Sequence, residues 1–138
     1  MKNERRIKII NWSVFLIFLV VGIVTIFVTF LDLVNMSNDA KITSQSRIEF
    51  DWNEENRIFG IILLILSILL ILFWKRLFPF NVPVALIIMG LFYELFSLVY
   101  FSGWVGIQGV IGLAIATLTG SVMLIIYFLL RITKRTST

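Results

Sequence analysis

The chain has 138 residues, 59% of them hydrophobic and 14% charged, with a net charge of +4. Soluble domains run nearer half apolar and a quarter charged, so a mean hydropathy of +1.01 excludes a single water-soluble core of this size and points to an integral membrane protein. Cysteine and histidine are both absent. This excludes a disulfide framework, a thiolate nucleophile and the commonest general base and metal ligand, and we expect no metal site and no cofactor.

Residues 1–8 carry Lys2, Arg5, Arg6 and Lys8 against Glu4. An apolar run over 9–31 follows, longer than the roughly 20 residues a bilayer requires. It is too long for a signal-peptide core and is followed by no clear small-x-small cleavage site, so it reads as a retained first span. Asn11 and Trp12 mark its inner interface, and Asp32 lies just past its outer end. Thr25 and Thr29 are expected to bond back to their own helix.

The segment 35–57 is the only sizeable polar stretch. Asn35-Met36-Ser37 fits a glycosylation acceptor, a short and unspecific pattern. Within Arg47-Ile48-Glu49-Phe50-Asp51-Trp52, polar and apolar residues alternate. That period predicts an extended piece with Ile48, Phe50 and Trp52 on one side, lying on the outer ends of the helices or on a partner. The plainer reading is a loop with aromatic anchors at the membrane interface.

Asn53 is placed to cap the second span, with Glu54 and Glu55 suiting the dipole of its first turn. That span runs over 58–74 and is interrupted only by Gly60 and Ser67, seven apart and so on one close-contact face. Lys75 and Arg76 end it, Pro79 forbids its continuation, and 75–80 is a short connection. Asn81 is expected to cap the third span, 82–101. Ser102, Gly103 and Gly106 form a turn over 102–106 with Trp104 at the interface. The fourth span is 107–130, and Arg131, Lys134 and Arg135 lead into a polar tail, 131–138.

The fold class that follows is an all-α membrane protein, an antiparallel bundle of four transmembrane helices with one outer loop. Nine of the twelve Lys and Arg residues fall in the N-terminus, the 75–80 connection and the tail. The positive-inside rule therefore places both termini in the cytoplasm and the net acidic 35–57 loop outside. The bias toward Ile, Phe, Asn and Lys without Cys suggests a bacterial plasma membrane. The positive charge is spent on orientation and anionic headgroups, and it is not a nucleic-acid signal.

Two features stand out as candidate sites. Glu94 lies about 4 Å beyond the middle of the third span at 1.5 Å per residue. A bare carboxylate at such depth costs about 2.5–3.5 kcal/mol on insertion scales, and no Lys or Arg in the other spans can neutralise it. Helical spacing puts Gly90, Ser97 and Phe101 on its face, with Tyr93 and Tyr100 alongside. The hydroxyls of Tyr93, Ser97, Tyr100, Thr117 and Ser121 are candidate partners. Functionally this is a proton, cation or partner site; the bland alternative is a protonated acid that glues helices together. The second feature is the stripe Gln108, Gly112, Ala116 and Gly120, with Gly109 beside it. Such a small-residue face admits another backbone, either within the chain or across a homodimer or partner seam.

Neither HExxH nor GxSxG nor a glycine-rich phosphate loop occurs, and no second carboxylate accompanies Glu94 for acid–base work. We therefore expect no enzyme. The leading expectation is a small non-catalytic accessory protein (subunit, regulator, assembly factor or immunity-type protein) that docks on a membrane partner through the fourth span and the outer loop. The alternative is a small oligomeric proton- or cation-coupled transporter or channel using Glu94. The expected partners are the lipid bilayer and another membrane protein or a second copy of the chain.

Overall fold

The computed structural model describes residues 2–38 and 46–136, with side chains over 5–35 and 46–131. Four helices follow in order: α1 (Lys2–Asn38), α2 (Glu54–Leu72), α3 (Asn81–Tyr100) and α4 (Ile107–Thr136). Each contains a stretch long and apolar enough to cross a membrane, with mean hydropathies of 3.1, 2.2, 2.1 and 2.3. Two short strands, β1 (Arg47–Ile48) and β2 (Phe101–Ser102), and a 3-10 turn, Gly103–Gly106, complete the described elements. The rest of the polar loop, 39–45, lies outside the described residues, as do the side chains of Met36 and Ser37 in the glycosylation pattern.

The helices overrun the apolar runs at several ends. α1 continues through Lys2, Glu4, Arg5, Arg6 and Lys8, residues that favour helix once a neighbouring turn is formed. α4 continues likewise through Arg131, Lys134 and Arg135. α2 begins at Glu54, four residues before the apolar run. Its N-cap is Asn53, whose side chain accepts from the Asn56 backbone N–H at 2.8 Å. Glu54 and Glu55 occupy the first turn, where negative charge meets the helix dipole. Asn81 behaves differently from expectation. The position before α3 is Phe80, already in helical backbone (φ −79°, ψ −12°), and no side chain caps it. Asn81 is instead the first helical residue and is buried, and its Oδ1 has no partner.

α3 is the central element, packing on each of the other three helices. One buried cluster joins α2 to its later half: Leu63, Leu95 and Val99, with Phe59, Leu91 and Tyr100 around them. A second joins α4 and α1 to its earlier half: Leu86, Met123 and Tyr127, flanked by Val14, Phe15, Phe18 and Met89. The outward faces of α1 and α2 carry exposed Ile, Leu, Val and Phe along their length, the pattern of helices bathed in hydrocarbon.

β1 pairs antiparallel with β2, Arg47 opposite Ser102 and Ile48 opposite Phe101. An isolated pair this short is unstable in water. Here it is an extension of a helix end. The last carbonyls of a helix lack intrahelical partners, and near hydrocarbon that omission is costly. The Glu49 N–H donates to the Tyr100 carbonyl at 3.1 Å, and the Asp51 N–H to the Val99 carbonyl at 2.9 Å. The loop thus closes the C-terminus of α3 with its own backbone. Gly103, at φ 76°, then turns the chain in a conformation that side chains disfavour.

Candidate functional site

α3 and α4 approach most closely along the small-residue stripe. A Cβ on Gly109 would stand 2.7 Å from Ser97 Cβ and 3.1 Å from Glu94 Cα. One on Gly112 would stand 2.5 Å from the Tyr93 ring, and one on Gly120 would stand 2.8 Å from the Pro83 carbonyl and from Ile87. From the α3 side, a Cβ on Gly90 would lie 2.7 Å from Ala116 Cβ. The face Gly109, Gly112, Ala116 and Gly120 is therefore occupied within the chain by α3. Gln108, at the end of the stripe, turns elsewhere: its Oε1 accepts from Thr29 Oγ1 at 2.9 Å. This corrects the local bond expected of Thr29. A hydroxyl in a weakly polar helix has a choice between its own backbone and a neighbour, and the amide of Gln108 offers the neighbour. Thr25 makes the local bond, to the Val21 carbonyl at 2.8 Å.

Glu94 sits on this α3–α4 seam and is half-buried. Among the described residues its carboxylate has no hydrogen bond or ion pair. Among the described residues none of the hydroxyls proposed to hold it bonds to it. Tyr93 lays its ring between Gly112 of α4 and Gly22 of α1, where a Cβ would be 3.9 Å away. Tyr100 packs on Phe96 and Phe50, with ring centroids 4.6 and 5.5 Å apart. Ser97 is 1% exposed and its Oγ has no partner. Neither Thr117 nor Ser121 bonds to the carboxylate. The site is thus one unpaired carboxylate beside one unpaired buried hydroxyl, with Gly109 between the two positions.

On the segment between β1 and α2, Phe50 stacks on Trp52 (centroids 6.5 Å apart, planes 14° apart) and leans on Tyr100. Trp52 reaches over Gly60, where a Cβ would meet it at 3.4 Å. The backbone beneath is fixed by the bonds to Val99 and Tyr100. Yet Phe50 is 65% exposed and Trp52 48% exposed, while Ile48, also exposed, sits on the paired strand. These residues form a held, outward aromatic ledge.

Sequence reasoning missed the polar contacts that hold α1. Asn11, read as an interface marker, is 1% exposed. Its Nδ2 donates to the Pro79 carbonyl at 3.2 Å, and its Oδ1 accepts from the Tyr127 hydroxyl. One amide thus ties α1 to the 73–80 turn and to α4. With Thr29–Gln108 this makes two polar clasps between α1 and α4, separated by 18 residues of α1, about 27 Å at 1.5 Å per residue. An available signal was that Asn11 is the lone amide at the start of an otherwise apolar run.

Between the clasps α1 stands away from α3 and α4, leaving an apolar hollow of about 640 Å³. Residues of 18–26, 89–96 and 108–116 line it. A smaller pocket lies under the aromatic ledge, against Phe92, Leu95 and Val99. Among the described residues no group of three acidic side chains is gathered as a metal site. No family model, curated protein or solved structure matches this chain.

Proposed function

We propose that the chain is a small non-catalytic accessory protein of a membrane complex, docking on a membrane partner through its outer ledge. The observation that carries this reading is the contrast at Phe50 and Trp52. Their backbone is ordered by bonds to the end of α3, yet their rings remain largely exposed. A preorganised aromatic pair presents large apolar area at little further entropic cost, which suits an interface anchor. The small-residue stripe is engaged inside the bundle, so in this reading it builds the scaffold that holds the ledge. The positive-inside pattern supports a plasma-membrane protein with both termini cytoplasmic and the ledge outside, in a bacterial membrane by composition.

The second reading, a small oligomeric proton or cation conductor, rests on the unpaired Glu94. An intramembrane carboxylate is a functional candidate by default, and a carboxyl that loads and releases a proton is the least such a device needs. Four spans enclose too little for a pathway, so this reading requires a homo-oligomer.

A photoreactive amino acid at position 50 or 52, activated in the native membrane, tests the first reading. A crosslink to one larger polypeptide supports it; crosslinks to lipid alone return the ledge to an interfacial anchor. Single cysteines at Ser44 and Thr136 test the orientation. Labelling of position 136 from outside intact cells contradicts it.

A further inference from the structure

We propose that the hollow between α1 and the α3–α4 pair binds one acyl chain of a glycerolipid. A cavity of about 640 Å³ falls within the range of roughly 300–1,000 Å³ typical of ligand sites. The hollow opens to the surface, where its lining residues Ile23, Ile111 and Ile115 are more than half exposed, so a hydrocarbon chain can enter from the side and supply the dispersion contacts that an empty groove forfeits. Gly22, Gly90 and Gly112 line it, but the space beside Gly90 and Gly112 is taken by Ala116 and the Tyr93 ring, so the room comes from the α1 side, where a Cβ on Gly22 would meet only Tyr93 at 3.9 Å. The lining contains no charged side chain, which rules out an ionic headgroup as the part that enters.

Two residues that line the hollow nevertheless carry polar groups without full pairing among the described residues. The Tyr93 hydroxyl has no partner, and the Gln108 side chain uses only its oxygen, toward Thr29. Their depths differ usefully. Gln108 is the second residue of α4, at the helix end. Tyr93 packs at Gly112, one turn deeper. From Gln108 to Ala116 the hollow extends about 12 Å at 1.5 Å per residue, most of one leaflet's share of a hydrocarbon core about 30 Å thick. An ester carbonyl at the level of the Gln108 amide would leave its chain running down past the Tyr93 ring along the lining face of α1. Water has too few polar partners there. A partner helix needs the full thickness of the membrane, and the hollow extends over only about 12 Å of it. A flexible chain can enter sideways where a helix cannot.

The test uses the full chain in nanodiscs of a glycerophospholipid carrying a diazirine midway along one acyl chain. After photolysis, adducts are mapped by peptide mass analysis. Labelling within 18–26 and 108–116 is expected to exceed that of the exposed α2 face by about tenfold, a preference of about 1.4 kcal/mol. Gly22→Phe, which fills the hollow from a position with little in its way, is expected to bring that labelling down to the α2 level. Should this variant not fold, Ile115→Trp narrows the hollow from α4 and carries the same expectation. Uniform labelling of α1 and α2, enrichment that survives the filling variant, or crosslinks from position 22 to a second polypeptide in native membranes would each overturn the assignment.

Discussion

Gly109→Ala tests the packing that organises the bundle. The new methyl would stand 2.7 Å from Ser97 Cβ, 3.1 Å from Ser97 Oγ and 3.1 Å from the Glu94 backbone. Neither a Cβ nor a backbone can swing away as the tip of a long side chain can, so α3 and α4 must separate. Overpacking of this kind costs about 1–3 kcal/mol. Against it, alanine in place of glycine in a helix returns as much as about 1 kcal/mol. With the full return the net is a loss of about 0–2 kcal/mol, and relative to a glycine-to-alanine change with no clash the loss is about 1–3 kcal/mol. Gly22→Ala is the internal control. Its methyl meets only Tyr93 at 3.9 Å, an ordinary contact, so the propensity gain stands alone and stability holds or rises slightly. Reversible unfolding by detergent titration in mixed micelles, followed by circular dichroism, measures both. A Gly109→Ala protein as stable as Gly22→Ala would refute the reasoning, because it would mean that α3 and α4 are not in close contact at this point.

Three further outcomes are expected. Tyr127→Phe and Asn11→Ala each weaken the bundle by the unpaired polar group they leave, about 1–3 kcal/mol. The double-mutant cycle should give a coupling near 0.6 kcal/mol and no more than about 1.7, the range found for hydrogen bonds between membrane helices. Thr29→Val removes the second clasp while keeping shape. It should raise hydrogen exchange in the half of α1 nearest Asp32, leaving the Asn11 end unchanged. Glu94→Gln keeps size and hydrogen bonding but no charge; capture of the partner should stay at the wild-type level. A variant that keeps its complex yet loses function in cells would move the account to the proton-site reading.

How much of this was legible in the sequence depends on the range of each interaction. The four apolar runs needed only counting, since a bilayer demands length and hydropathy before anything else. Gly90 and Ser97 were placed with Glu94 by helical spacing, and both do face α4. The stripe on α4 was equally visible, but a stripe names a contact without naming its partner, and the partner turned out to be α3 of the same chain. Local rules failed where a distant group competed. Thr29 left its own backbone for Gln108. Asn81 gave up a capping role because the preceding turn delivers Phe80 already helical. Asn11 was misread because its acceptor, the Pro79 carbonyl, is 68 residues away. The unpaired state of Glu94 could be anticipated from charge counting. Its isolation from the five candidate hydroxyls could not, because it depends on the register of α3 against α4, which sets Gly120 opposite Pro83 and Ile87 and so carries Thr117 and Ser121 away from Glu94, and on how Tyr93 and Tyr100 pack.

The central claim is that the held aromatic ledge engages a partner in the membrane. Its most direct test is the intact mass of the complex captured from native membranes in mild detergent, compared between the wild type and Phe50→Ala/Trp52→Ala. The expected result is one stoichiometric larger partner with the wild type and a bare chain with the variant, which still folds in the same detergent. A wild-type chain found only as a monomer or homo-oligomer, or a complex indifferent to the loss of both rings, would contradict it.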